Sequence, residues 1–128
     1  MRNMSSNNES NLMLAKEAEL LDCLRKIGKG LIAAGTSVGV VENTLTEIAL
    51  TYHVRCEIVA LPNILMLKLG QSMHELMDFT VQRPTSLPLN QLSALSELVD
   101  GVKGKRILPA EASLQVDKIL ATPPRFSS

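Results

Sequence analysis

The chain contains no tryptophan, one tyrosine and two phenylalanines in 128 residues. With aromatics at 2% and hydrophobic residues at 45%, any core has to be built from Leu, Ile, Val, Ala and Met. The stacking platforms that hold bases and sugars are missing. Net charge is missing as well: 13 basic and 13 acidic residues cancel, which removes the electrostatic footprint of a nucleic-acid binder. Cysteine is limited to Cys23 and Cys56, without C-x-x-C spacing, and the polar start MRNMSSNNES has no apolar signal-peptide core. Both features fit a reducing, cytoplasmic setting. Long hydrophobic runs are absent too. The longest, residues 58–67, is about half of the ~20 residues a membrane helix needs and is broken by Pro62. His53 and His74 are the only histidines, and with two scattered cysteines they form neither a structural zinc site nor H-E-x-x-H. No metal and no cofactor is implied. Gly28-Lys29-Gly30 interrupts a helical stripe, where glycine permits close approach of a neighbouring element rather than cradling a phosphate.

What is present is helical periodicity at both ends of the chain and alternation in the middle. Residues 1–11, rich in Ser and Asn, offer almost nothing to bury and read as a disordered tail. From Leu12 the pattern changes. Leu20, Leu24, Ile27 and Leu31 recur at helical spacing, predicting an amphipathic helix that ends near Ala34. Val38, Val41, Leu45, Ile48 and Tyr52 mark a second helix, which stops near His53. The period then falls to two through VRCEIVAL, NILMLKL and ELMDFTVQ, three short strands separated by Pro62-Asn63 and Gly70-Gln71-Ser72. Leu92, Leu95, Val99 and Val102 predict a third helix starting near Pro88 or Leu89. Ala112, Val116, Ile119 and Leu120 predict a fourth from Pro109, closed by Pro123-Pro124. The order reads as an α+β fold: two N-terminal helices, a three-stranded mainly antiparallel meander, and two C-terminal helices packed on one face. A single domain spans residues 12–121, with residues 122–128 as a connector.

Gly35-Thr36-Ser37-Val38-Gly39 spells G-x-S-x-G, the nucleophile pattern of many hydrolases. That chemistry needs a strand entering the serine and a helix leaving it, with a histidine and an acid arriving from elsewhere. Here a helical pattern enters Ser37 and the strands follow it, so catalysis is not expected. The simpler reading is structural. Gly35 stops the first helix in a left-handed conformation, and Thr36 or Ser37 offers a side-chain oxygen to the next helix's free amides. Glu42 sits near that helix's positive end. Lys103-Gly104-Lys105-Arg106 reads as a small basic turn between helices, solvated or, on a membrane-associated protein, touching anionic headgroups.

The stretch LLDCLRKIGKGLIAAGTSVGVVENTLTEIALTYHV resembles the opening of the threonine/serine exporter family: an amphipathic helix, a small-residue corner, then a V-E pair, here Val41-Glu42. VRCEIVALPNILMLKL is similar to the family's strands, with Pro62 at the bend, and the segment from VQRPTSLPLN to QVDKIL resembles its closing helices. The family's corner usually carries a threonine and an arginine where this chain has Val38 and Val40. The resemblance implies a soluble domain at the cytoplasmic face of the inner membrane, with a regulatory or assembly role in small-amino-acid export. Its partner would be a transmembrane half, from the same gene or a separate chain, and a homo-oligomer is allowed. Glu42 and Arg83 are the charged positions it carries over as functional candidates; Gly35, Ser37 and Pro62 are structural. The alternative is a free-standing small-molecule binding or interaction module, with a serine hydrolase third.

Overall fold

The computed structural model describes residues 2–61, 64–69, 72–74 and 87–121. Helix α1 (Arg2–Ala33) is followed by α2 (Val38–Thr51), strands β1 (Cys56–Leu61), β2 (Ile64–Leu69) and β3 (Ser72–His74), then α3 (Leu89–Lys103) and α4 (Pro109–Ala121). The backbone of residues 2–11 is thus helical where composition predicts a disordered tail. A polar composition does not forbid this. Ser and Asn cost at most about 0.7 kcal/mol each in a helix, and a nucleated helix gains one hydrogen bond per added residue. The proposed connector over 122–128 lies outside the described residues.

β1 and β2 pair antiparallel, with Cys56 opposite Leu69 and Ile58 opposite Leu67. This register puts Leu67 and Leu69 on one face, and both are buried. Glu57 and Lys68 face each other on the other side, 3.7 Å apart. A one-residue slip would exchange these two sets. The three-residue β3 pairs along the other edge of β2. The strand expected over 75–82 lies outside the described residues, as does the bend at Pro62-Asn63.

The core is aliphatic throughout. Leu20, Cys23, Leu24 and Ile27 of α1 meet Val41, Leu45 and Ile48 of α2, and Leu95, Val99 and Val102 of α3 close on them with Val116 of α4. Each fully buried Leu, Ile or Val contributes about 1.5–3 kcal/mol. Two stripe members depart from expectation: Val38 is 44% exposed and Leu92 38% exposed. Both lie in the first turn of their helix.

The layering also corrects the sequence reading. α2 packs on β1 and α1 on β2, whereas α3 and α4 touch no strand among the described residues. They pack instead on the helical layer, α4 chiefly along α1. Gly30 lies at this seam: a Cβ there would stand a tight 3.3 Å from Leu95 Cδ2 and at an ordinary 3.6 Å contact with Leu120 Cδ1. Lys26 ties α1 to α4 through Asp117 at 2.7 Å. That hydrogen bond is the main cause raising the Lys26 pKa; burial opposes it, and the nearby Asp22 adds to the rise.

Candidate functional site

The α1–α2 corner is built by backbone chemistry. Gly35 has φ +84°, and the Thr36 amide donates to the Leu31 carbonyl while the Gly35 amide donates to Ile32, both at 3.0 Å. This pair of bonds satisfies the last carbonyls of α1, and it requires a left-handed residue at Gly35. Ser37 is the N-cap of α2 with extended angles, φ −66° and ψ 151°, but its side chain makes no capping bond. The expected side-chain cap is therefore absent. The Ser37 contribution is its carbonyl, which accepts from the Val41 amide at 3.0 Å.

No strand precedes Ser37 and a helix stands on each side of it, so the hydrolase geometry is not formed. His53 lies at the opposite end of the 14-residue α2, about 20 Å away at 1.5 Å per residue. Glu42 is half-buried and makes no hydrogen bond or ion pair among the described residues. Arg83 lies outside the described residues. Beside Glu42, Val38 and Val40 are 44% and 51% exposed, an apolar rim on the corner.

The C-terminal ends of α2 and α3 repeat the corner's bonding pattern without glycine at the left-handed position. His53 has φ 60° and Lys105 has φ 61°. Val54 donates to the Ala49 carbonyl at 3.0 Å, and Arg106 donates to the Gly101 carbonyl at 2.8 Å. These two ends meet. The Tyr52 hydroxyl donates to the Ile107 carbonyl at 3.3 Å, Lys103 pairs with Glu47 at 2.7 Å, and the Lys105 ammonium sits 5.6 Å from the Tyr52 ring centroid. The basic cluster 103–106 is thus not a uniform solvated turn: two of its charges are committed to α2, and Arg106 points elsewhere.

Cys23 and Cys56 pack as small residues rather than reactive ones. Burial, reinforced by Asp22 and opposed by Lys26, pushes the Cys23 thiol up to about 12. Burial and then Glu57 push Cys56 up to about 11. Neither is a thiolate near neutral pH.

Between α3 and α4 runs an open groove of about 630 Å³. Glu97 and Asp100 line it from α3, Gln115 and Lys118 from α4, and Arg106 from the connection. Its floor includes Leu98, Gly101, Ile107 and Ile119. Sequence reasoning missed this grouping. The one available signal was the basic cluster, whose members cannot be assigned directions until the chain reversal at Lys105 is known.

The family model ThrE, described as "Putative threonine/serine exporter", matches residues 22–128. No curated protein and no solved structure matches the chain.

Proposed function

The chain belongs to the threonine/serine exporter family, and on that footing we propose that it is the exporter's cytoplasmic regulatory or assembly module, docking onto a transmembrane half. The family match, which takes in α2, the sheet, α3 and α4, carries this reading. No helix among the described residues is long and apolar enough to cross a membrane. The exposed valines Val38 and Val40 beside half-buried Glu42 supply an apolar rim for such a contact. The family is one of transporters rather than enzymes, in keeping with a Ser37 that lacks hydrolase geometry.

The test is export itself. Co-expressed with a matching membrane half in cells loaded with threonine-containing peptides, the chain should restore threonine efflux. Glu42→Ala or Arg83→Ala should reduce efflux without unfolding the domain. A folded chain that never associates with the membrane half, in cells that export normally without it, would defeat the proposal. The α3–α4 groove favours the second reading, a small-molecule binding module.

A further inference from the structure

We propose that the α3–α4 groove binds a small zwitterion, a free amino acid or the two ends of a short peptide, with Asp100 and Glu97 receiving its ammonium and Arg106 its carboxylate. The charges carry this inference. Between other helices opposite charges close directly, Lys26 on Asp117 and Lys103 on Glu47, each at 2.7 Å. In the groove, the side chains of Glu97, Asp100 and Arg106 share one lining yet make no hydrogen bond or ion pair among the described residues. Opposite charges that line a cavity without closing on each other leave both an ammonium site and a carboxylate site.

The backbone around the groove is arranged to hold that geometry. Lys105 adopts φ 61°, a conformation that costs a non-glycine residue about 1–2 kcal/mol, and by reversing the chain there it delivers Arg106 and Ile107 to the groove. Both amides then donate to the Gly101 carbonyl, at 2.8 and 3.1 Å. Gly101 of α3 and its C-cap Gly104 clear the space. A Cβ on Gly101 would stand 2.5 Å from Ile107 Cδ1, and one on Gly104 would stand 2.7 Å from Arg106 Nη1. Ile107 therefore lies directly on the helix backbone as an apolar floor, and the guanidinium lies across the end of α3. At about 630 Å³ the groove is in the range of small-ligand sites, roughly 300–1,000 Å³. It accommodates a short peptide as well as a single amino acid.

Within the exporter reading, the exported amino acid itself would be the ligand, making the groove a sensor of cargo; the binding chemistry does not depend on that reading. The experiment is a titration of the isotope-labelled full chain with L-threonine, followed by amide chemical shifts, with threonyl-threonine in a second arm. Saturable shifts confined to Gly101, Lys105–Ile107 and the Gln115–Ile119 turn are expected, with a Kd on the order of 1 mM. The arm with the tighter Kd identifies the source, amino acid or peptide. Threoninol, without the carboxylate, and N-acetylthreonine, without the ammonium, should each bind at least about tenfold more weakly. Asp100→Asn and Arg106→Gln should have the same effect, and both sites are exposed, so the folded spectrum should persist. Absence of saturable groove shifts with either ligand, or binding unchanged by both variants, overturns the proposal. Export that fails in the co-expression assay while this titration succeeds would count against the exporter reading alone.

Discussion

The Tyr52 hydroxyl reaches across from the end of α2 to the Ile107 carbonyl in the α3–α4 connection, 3.3 Å away and partly buried. Among the described residues it is the only aromatic side chain packed against the core. It couples the α1–α2 half of the molecule to the loop that shapes the groove. Tyr52→Phe keeps the ring and removes the bond, so the expected loss is about 0.5–1.5 kcal/mol in urea unfolding. An unchanged midpoint would mean the bond contributes nothing.

The corner between α1 and α2 should respond to backbone rather than side-chain changes. Nothing lies within 4 Å of a Cβ placed on Gly35, so Gly35→Val meets no steric obstacle and fails on conformation alone, by about 1–2 kcal/mol or more. Ser37→Ala should cost less than about 0.5 kcal/mol, below the usual N-cap loss, because the Ser37 side chain makes no capping bond. Thermal melts of the two variants give the order, and a larger loss from Ser37→Ala would contradict it.

Replacing the left-handed non-glycine residues should stabilise the fold. At His53, φ 60°, glycine relieves about 1–2 kcal/mol and returns part of it through a more flexible unfolded chain. A net gain of about 0.5–1 kcal/mol is expected. Lys105→Gly should gain less, since it also removes the ammonium from the Tyr52 ring, worth about 0.5–1 kcal/mol. Denaturation midpoints decide whether His53→Gly exceeds Lys105→Gly.

Gly101→Ala should be destabilising even though alanine is the better helix former. The added Cβ would stand 2.5 Å from Cδ1 and 2.9 Å from Cγ1 of Ile107. Overpacking of this kind costs about 1–3 kcal/mol against a helix gain of up to ~1 kcal/mol. Adding Ile107→Val in the same chain should recover part of the loss, and no recovery would mean that the clash is not the cause.

Stability should fall at alkaline pH. The folded chain raises Cys23 from an ordinary 9.0 to about 12 and Cys56 to about 11, and Tyr52 is raised by burial and then by Cys23. Above about pH 9 the unfolded thiols release protons that the folded ones keep, so unfolding is favoured as pH rises. For buried Cys23 the slope approaches about 1.4 kcal/mol per pH unit. Cys23→Ala should flatten the decline between about pH 9 and the folded-state value, at some cost in neutral stability from the lost packing. Urea midpoints across that range measure it, and an unaltered slope would remove Cys23 as the cause.

Local pattern determined the helices, their buried stripes and the stop at Gly35, because 3.6-residue periodicity and left-handed glycine depend only on neighbours in sequence. Leu24, Ile27, Leu45, Ile48, Leu95 and Val116 were all legible in this way, and all are buried. The family was legible from the ordered set of segments. Tertiary structure alone decided that α3 and α4 pack on α1 and α2 rather than on the described strands. A helical stripe states that a face must be buried but not against what. It also decided the fate of the basic cluster: Lys103 goes to Glu47, Lys105 to Tyr52 and Arg106 to the groove. The left-handed angle at Lys105 sets those directions, and a non-glycine residue adopts it only when surrounding contacts offset its cost. Those contacts come from α2 and from Gly101, distant in sequence or unremarkable within it, so no reading of residues 103–106 by themselves could have found the groove.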